Sequence, residues 1–124
     1  PRLIDTYIAI RDDVEKFENY FEEFSAQHSE KFYYEIRNRQ FRIKAKQAAQ
    51  FVYLNRVCFN GIYRENLKGE FNVPLGSKKT AILDTDDFIS TSELLQKVVF
   101  LSQDFEMTVN MSKEGDLLYV DPPW

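Results

Sequence analysis

Asp121, Pro122, Pro123 and Trp124 follow a short apolar run, Leu117 to Val120. That run has the length and composition of a buried strand. Neither proline has an amide hydrogen to continue a ladder, so the strand stops there. It then presents one carboxylate, fixed carbonyls and one flat ring at its carboxyl end. Ligands sit at that end of the strands in open α/β sheets. A strand followed by a plain proline turn fits the same spacing.

A second chemistry lies in the charge distribution. The net charge of the 124 residues is −4. From Lys31 to Lys79 there are eleven Lys and Arg against three acids, a net of +8, whereas the remainder has five against seventeen, a net of −12. A basic middle between acidic flanks is the footprint of a phosphate-facing surface. A solvated helix face is the plain alternative. One histidine, His28, and one cysteine, Cys58, give no metal site of the usual nitrogen and sulfur type. His28 reads as a solvated loop residue. The single cysteine excludes an internal disulfide and fits a reducing, cytoplasmic compartment. No apolar run approaches the roughly 18 residues of a membrane span.

The elements that must position these groups are mostly helical at first. Leu3, Ile4, Tyr7 and Ile8 share one helical face. Asp12 or Asp13 caps a second helix carrying Val14, Phe17, Tyr20, Phe21 and Phe24. Ser29 begins a third, with Phe32, Tyr33, Ile36 and Phe41 as its apolar residues. Ile43 to Phe59 is a fourth, rich in alanine. The pattern then changes. Asn60-Gly61 and Lys68-Gly69 are turn signals flanking Ile62 to Arg64 and Glu70 to Val73, which predicts a β-hairpin ended by Pro74 and Gly76. Residues 81–90 read as an acidic loop, Thr91 to Lys97 as a short helix, and Val98 to Leu101 as a buried strand. Glu114-Gly115-Asp116 turns into the final strand.

Tyr53 to Gly76, Y-L-N-R-V-C-F-N-G-I-Y-R-E-N-L-K-G-E-F-N-V-P-L-G, closely resembles the target-recognition segment of the Dam-type DNA adenine-N6 methyltransferases. D-P-P-W at 121–124 resembles their catalytic D-P-P-Y, at the spacing the family uses. Pro1-Arg2-Leu3-Ile4 looks like the segment after the family's acidic ribose ligand. Together these cover most of the chain. The resemblance implies an α/β protein in which a helical bundle with a β-hairpin joins part of a Rossmann-like methyltransferase sheet. Residues 1–92 would form the target-recognition domain, with its DNA-reading hairpin at about 59–76, and residues 93–124 a partial catalytic domain. The family's glycine motif and ribose ligand would precede Pro1, and further strands would follow Trp124. The expectation is an incomplete fragment, inactive alone.

The resemblance also implies roles. The amino group of adenine is a poor nucleophile, because its lone pair is delocalised into the ring. Asp121 and the Pro122 carbonyl would accept hydrogen bonds from it and free that lone pair for the methyl group of S-adenosylmethionine. Pro123 would help to hold the turn, and Trp124 would stack on the flipped adenine. Tryptophan replaces the family's usual tyrosine there, and aspartate rather than asparagine at 121 argues against glutamine-amide methyltransferases. Asp104 and Phe105, with Asp121, would hold the cofactor. On double-stranded DNA, Arg64 would read guanine, Ile62 and Pro74 would meet thymine methyls, and Phe59, beside Asn60, would fill the space of the flipped base. Arg56, Asn66, Lys78 and Lys79 would hold phosphates. The implied target is GATC. The rival reading is a non-catalytic, sequence-specific DNA-binding module.

Overall fold

The computed structural model describes residues 2–121. Six α-helices occur in order: α1 (Arg2–Asp12), α2 (Val14–Ala26), α3 (Glu30–Arg37), α4 (Lys44–Val57), α5 (Phe88–Leu95) and α6 (Phe105–Val109). A 3-10 turn, Phe59–Gly61, follows α4.

The four expected helices form, and their apolar stripes make the core. Phe17, Phe21 and Phe24 lie on one face of α2 and are all buried. Full burial of side chains of this size contributes about 1.5–3 kcal/mol each. The α3 start is set by Ser29, whose Oγ accepts from Phe32 N at 3.0 Å. Helix α3 stops at Arg37, so Phe41 packs from the connecting turn. Helix α4 is central and packs against α1, α2 and α3. Ala45, Ala48 and Ala49 are buried along it, and their small side chains let the neighbouring helices approach. Gln50 is buried and fully satisfied. Its amide nitrogen donates to Ile36 O (2.7 Å) and Arg39 O (2.8 Å), and its oxygen accepts from Arg2 Nη2 (2.8 Å). One side chain thus ties α1, α4 and the end of α3 together.

The acidic loop is shorter than the sequence suggests, because α5 begins at Phe88. Asp87 caps it, with Oδ1 accepting from Ser90 N at 2.9 Å. Phe88 then packs edge-on against Phe17 and Phe21, with centroids 4.8 and 5.5 Å away. Ser92 Oγ donates to Arg11 O at 2.9 Å and fixes α5 on α1.

The α/β expectation is overturned. Among the described residues there is no strand and no sheet, so neither a β-hairpin nor a Rossmann-like sheet is present. Val98, Val99 and Leu101, and Leu117 to Val120, are exposed, with Val99 at 79% and Leu117 at 96% of full exposure, while Phe100 is half-buried. A strand exists only where a neighbour supplies matching N–H and C=O groups. Among the described residues, no segment pairs its backbone with either run as a strand would. Residues 59–76 form a loop with two isolated antiparallel bridges, Cys58 to Leu75 and Glu65 to Phe71. A ladder fails there because Pro74 has no N–H and because helix side chains take the neighbouring backbone groups.

Candidate nucleic-acid interface

The loop alternates without being a hairpin. Tyr63 is half-buried, and Phe71 and Val73 are buried, whereas Ile62, Arg64, Asn72 and Pro74 face out. The inward set stacks on the bundle. Tyr63 lies 4.5 Å from Phe51 and 4.8 Å from Phe71, centroid to centroid. Arg2 Nη1 donates to Tyr63 OH at 2.6 Å, and Tyr63 OH donates to Glu65 Oε1 at 3.2 Å. Burial pushes the Tyr63 phenol up to about 12, although the charge of Arg2 opposes the shift. The hydroxyl therefore stays protonated across the physiological range.

The outward set is the one expected to read DNA. Phe59 and Ile62 are 56% and 62% exposed, large apolar groups held in water. Asn60 sits between them at φ +56°, a left-handed conformation that asparagine tolerates better than most residues. Arg64 is exposed, and its Nε donates to Asn72 Oδ1 at 3.1 Å, which orients the guanidinium. Pro74 is exposed, and its carbonyl accepts from Phe59 N at 2.9 Å, so the two ends of the loop meet. The structure brings Phe59, Asn60, Ile62, Arg64 and Pro74 onto this one loop.

The expected phosphate contacts divide. Asn66 organises the tip. Its Oδ1 accepts from Lys68 N (2.9 Å) and Glu70 N (3.0 Å), and its Nδ2 donates to Glu70 Oε2 (2.9 Å). Lys78 and Lys79 are exposed just after the loop. Arg56 is turned inward. Its Nη2 meets Asp86 Oδ1 at 2.8 Å, its Nη1 pairs with Asp86 Oδ2 and donates to Ala81 O, and its guanidinium lies over Phe21 and Phe88. Lys46, from the same basic stretch, is boxed by aromatic rings, with Nζ 4.8 Å from Tyr20 and 5.0 Å from Phe41. The basic middle is thus partly internal.

His28 lies in the loop between α2 and α3, where it is half-buried and bonded at both ring nitrogens. Its Nε2 lies 3.2 Å from Lys78 O and its Nδ1 2.6 Å from Tyr53 OH. A carbonyl only accepts, so Nε2 is the nitrogen that donates to Lys78 O. His28 thereby ties the chain after the loop to α4. Arg2, Gln50 and Asp86 also escaped sequence reading as loop supports. A signal existed for Arg56: it shares the α4 face of Tyr53, and acids follow at 84, 86 and 87.

The other end of the chain forms an open depression of about 640 Å³, lined among others by Asp104, Phe105, Val109, Leu118 and Asp121. Asp104 caps α6, with Oδ1 accepting from Glu106 N at 2.9 Å. The three expected cofactor contacts, Asp104, Phe105 and Asp121, therefore share one wall. Of the catalytic tetrapeptide, Pro122, Pro123 and Trp124 lie outside the described residues. Among the described residues, no helix is long and apolar enough to cross a membrane, and no group of three His, Cys, Asp or Glu side chains is placed to hold a metal ion.

Comparison with known proteins agrees with the resemblance. A family model for D12 class N6 adenine-specific DNA methyltransferases matches residues 1–124. The chain is 37% identical to the Type II methyltransferase M.MjaIII of Methanocaldococcus jannaschii, over 99% of the chain and 42% of that relative. It is 35% identical to the Type II methyltransferase M1.LlaDCHI of Lactococcus lactis subsp. cremoris, over 98% of the chain and 46% of that relative. A DNA adenine methylase of Haemophilus influenzae is 38% identical over 74% of the chain and 33% of that relative. The chain spans less than half the length of these relatives. With the match covering every residue, the chain belongs to the D12 class N6 adenine-specific DNA methyltransferase family.

Proposed function

We propose that this chain is the DNA-reading part, with the catalytic carboxylate, of a site-specific DNA adenine-N6 methyltransferase acting on GATC in double-stranded DNA, in the cytoplasm. Residues 1–92 carry recognition, and residues 93–124 carry the cofactor-side wall and the catalytic tetrapeptide. The observation that carries the reading is the alternation of the 59–76 loop. Its inward residues are packed on the helices, and the residues suited to base contact all project outward.

Each part has a physical task. Arg64 donates two hydrogen bonds to guanine O6 and N7, a contact that discriminates by about 1–3 kcal/mol. Ile62 and Pro74 pack on thymine methyls. Phe59, an exposed ring beside a strained Asn60, fills the stack vacated by the target adenine. Lys78, Lys79 and the tip around Asn66 meet phosphates and set register. Arg56, held by Asp86, acts from inside by fixing α4 against residues 81–86.

For the reaction, Asp121 accepts a hydrogen bond from the adenine amino group, with the Pro122 carbonyl as second acceptor. Both draw the nitrogen towards tetrahedral geometry and localise its lone pair, a matter of positioning and electrostatics. Trp124 stacks on the extruded base. The depression on Asp104, Phe105 and Asp121 suits S-adenosylmethionine, because its volume lies in the range of small-molecule sites and it combines an aromatic ring and aliphatic walls with two carboxylates. When bound, that cofactor supplies an electrophilic methyl group on a sulfonium. Asp104 and Asp121 offer acceptors to its hydroxyl and ammonium groups, and Phe105 offers a face to its adenine.

Fluorescence anisotropy tests the reading directly. GATC and scrambled duplexes are titrated at several salt concentrations with wild type and Arg64→Ala. The expected result is a GATC preference that Arg64→Ala abolishes, with non-specific binding largely retained. Equal binding of both duplexes by a folded wild type would overturn the assignment of the loop.

A further inference from the structure

Pro74 cannot be held by a backbone hydrogen bond of its own nitrogen. The groups on either side of it are the available handles, and both are taken by α3. Tyr33 OH donates to Val73 O at 2.7 Å, and Arg37 Nη1 donates to the same oxygen at 3.2 Å. Leu75 N donates to Tyr34 OH at 3.4 Å. Pro74 O in turn accepts from Phe59 N. A continuous set of bonds therefore runs from two adjacent helical tyrosines, through the proline, to the exposed phenylalanine.

We propose that Tyr33 and Tyr34 are specificity-determining positioning residues, which fix Pro74 and Phe59 for base contact without touching the duplex. The inference rests on the DNA-reading role of the loop. Tyr33 is wholly buried, and its ring stands edge-on to Tyr34 with centroids 5.2 Å apart. Burial pushes the Tyr33 phenol well up, so its proton is always present to donate. Proline fixes its own φ, and the bonds on Val73 O and Leu75 N, together with Phe59 N on Pro74 O and Gly76 N on Val57 O, set the angle of the pyrrolidine face. Contacts to base edges tolerate displacements of about half an ångström. Losing one bond at the base of the loop lets Pro74 and Phe59 wander beyond that while the core remains filled.

The test is made in the intact protein. Tyr33→Phe and Tyr34→Phe each remove one hydroxyl and keep the ring. Arg37 still serves Val73 O in Tyr33→Phe, so the fold is retained. Anisotropy on GATC and scrambled duplexes gives a preference ratio, and thermal unfolding is followed in parallel. We expect each variant to lower the ratio by about three- to tenfold, the equivalent of one hydrogen bond, with affinity for the scrambled duplex unchanged. In a Pro74→Ala background, Tyr33→Phe should lower the ratio by less than it does in the wild type, since only Phe59 is then left for it to position. A ratio unchanged in both variants overturns the inference. So does an equal loss of affinity for both duplexes, which is the signature of a merely structural role. A wild type with no preference, or an Arg64→Ala variant that keeps it, instead sinks the DNA-reading role and takes this inference with it.

Discussion

The loop 59–76 and the segment 98–121 are mostly irregular backbone, apart from the Phe59–Gly61 turn and the short helix α6, yet they are held very differently. The loop is fixed from outside itself. Helix α3 serves Val73 O and Leu75 N, α4 takes Gly76 N through Val57 O, and Arg2 reaches Tyr63. The later segment is held by short-range bonds such as Met107 N to Asp104 O and Asp116 N to Lys113 O. Phe100 is its clearest link to the bundle, stacked 5.5 Å from Tyr7 and 5.6 Å from the Arg11 guanidinium. Irregular backbone becomes rigid where buried side chains of regular elements satisfy its polar groups. A loop that must read DNA gains from that. Among the described residues, the depression around Asp104 and Asp121 is built on short-range bonds and has no comparable support.

Truncating the loop's inner face tests that contrast most strongly. Phe71 is buried and packs on Tyr63. Phe71→Ala removes the ring under the loop and should cost about 3–5 kcal/mol in urea unfolding. A cost below 1 kcal/mol would mean that the loop is not part of the cooperative core.

The next effect concerns the ion pair beneath the loop's exit. Arg56 and Asp86 are 21% and 14% exposed at their side chains. Arg56→Met leaves Asp86 without its cation and should cost about 1.5–3 kcal/mol. Burial alone would raise the Asp86 carboxyl, but hydrogen bonds from Arg56 and Leu83 N and the Arg56 charge outweigh it and hold it below the ordinary value. A lowered folded-state value means that stability is present above the unfolded value, about 4, and is lost as pH falls through the folded one. The gap in unfolding midpoint between wild type and Asp86→Asn should therefore be constant from pH 7 to 5 and narrow below about 4. A gap that widens on acidification would contradict this.

Gly76 sharpens the comparison at the point where the loop rejoins α4. A Cβ there would lie 2.6 Å from Cys58 O and 2.9 Å from Val57 O, both backbone atoms that cannot swing away. Gly76→Ala should cost about 1–3 kcal/mol. It should also lower GATC preference, because the Cys58 to Leu75 bridge opens. Gly115 is the counterpart in the later segment. Nothing lies within 4 Å of its Cβ position, so the strain of Gly115→Ala is confined to its φ of +95°.

The helices were legible because their signals are local. Phe17, Phe21 and Phe24 recur at helical spacing, and Ser29 caps as its type predicts. For the loop, the turn signals at Asn60-Gly61 and Lys68-Gly69 were legible, but the outward residues were named from the family resemblance and not from the pattern of the loop itself. Arg56 was missed because its signal is not local: only its place on the face of Tyr53 and the acids at 84, 86 and 87 favour an aspartate thirty residues later over a phosphate. Tyr33 was read only as part of an apolar stripe and Tyr34 not at all, although adjacent helical positions point about 100° apart and one phenol at least has a polar task. The strands failed for a different reason. Val98 to Leu101 has strand composition, but composition cannot supply the neighbour that makes a strand.

The smallest expected effect lies in that region and is the most discriminating. Leu117 is of the same apolar type as Leu54, yet Leu54 is fully buried and Leu117 is 96% exposed. In residues 1–124 expressed alone, Leu54→Ala should cost about 2–5 kcal/mol, and Leu117→Ala should change stability by less than about 0.5 kcal/mol. Hydrogen exchange should rank the same way, with α4 amides protected far longer than those of 117–120. If Leu117→Ala instead lowers the unfolding midpoint as Leu54→Ala does, the apolar run 117–120 is packed in solution. The two regions would then differ in sequence position and not in how they are held.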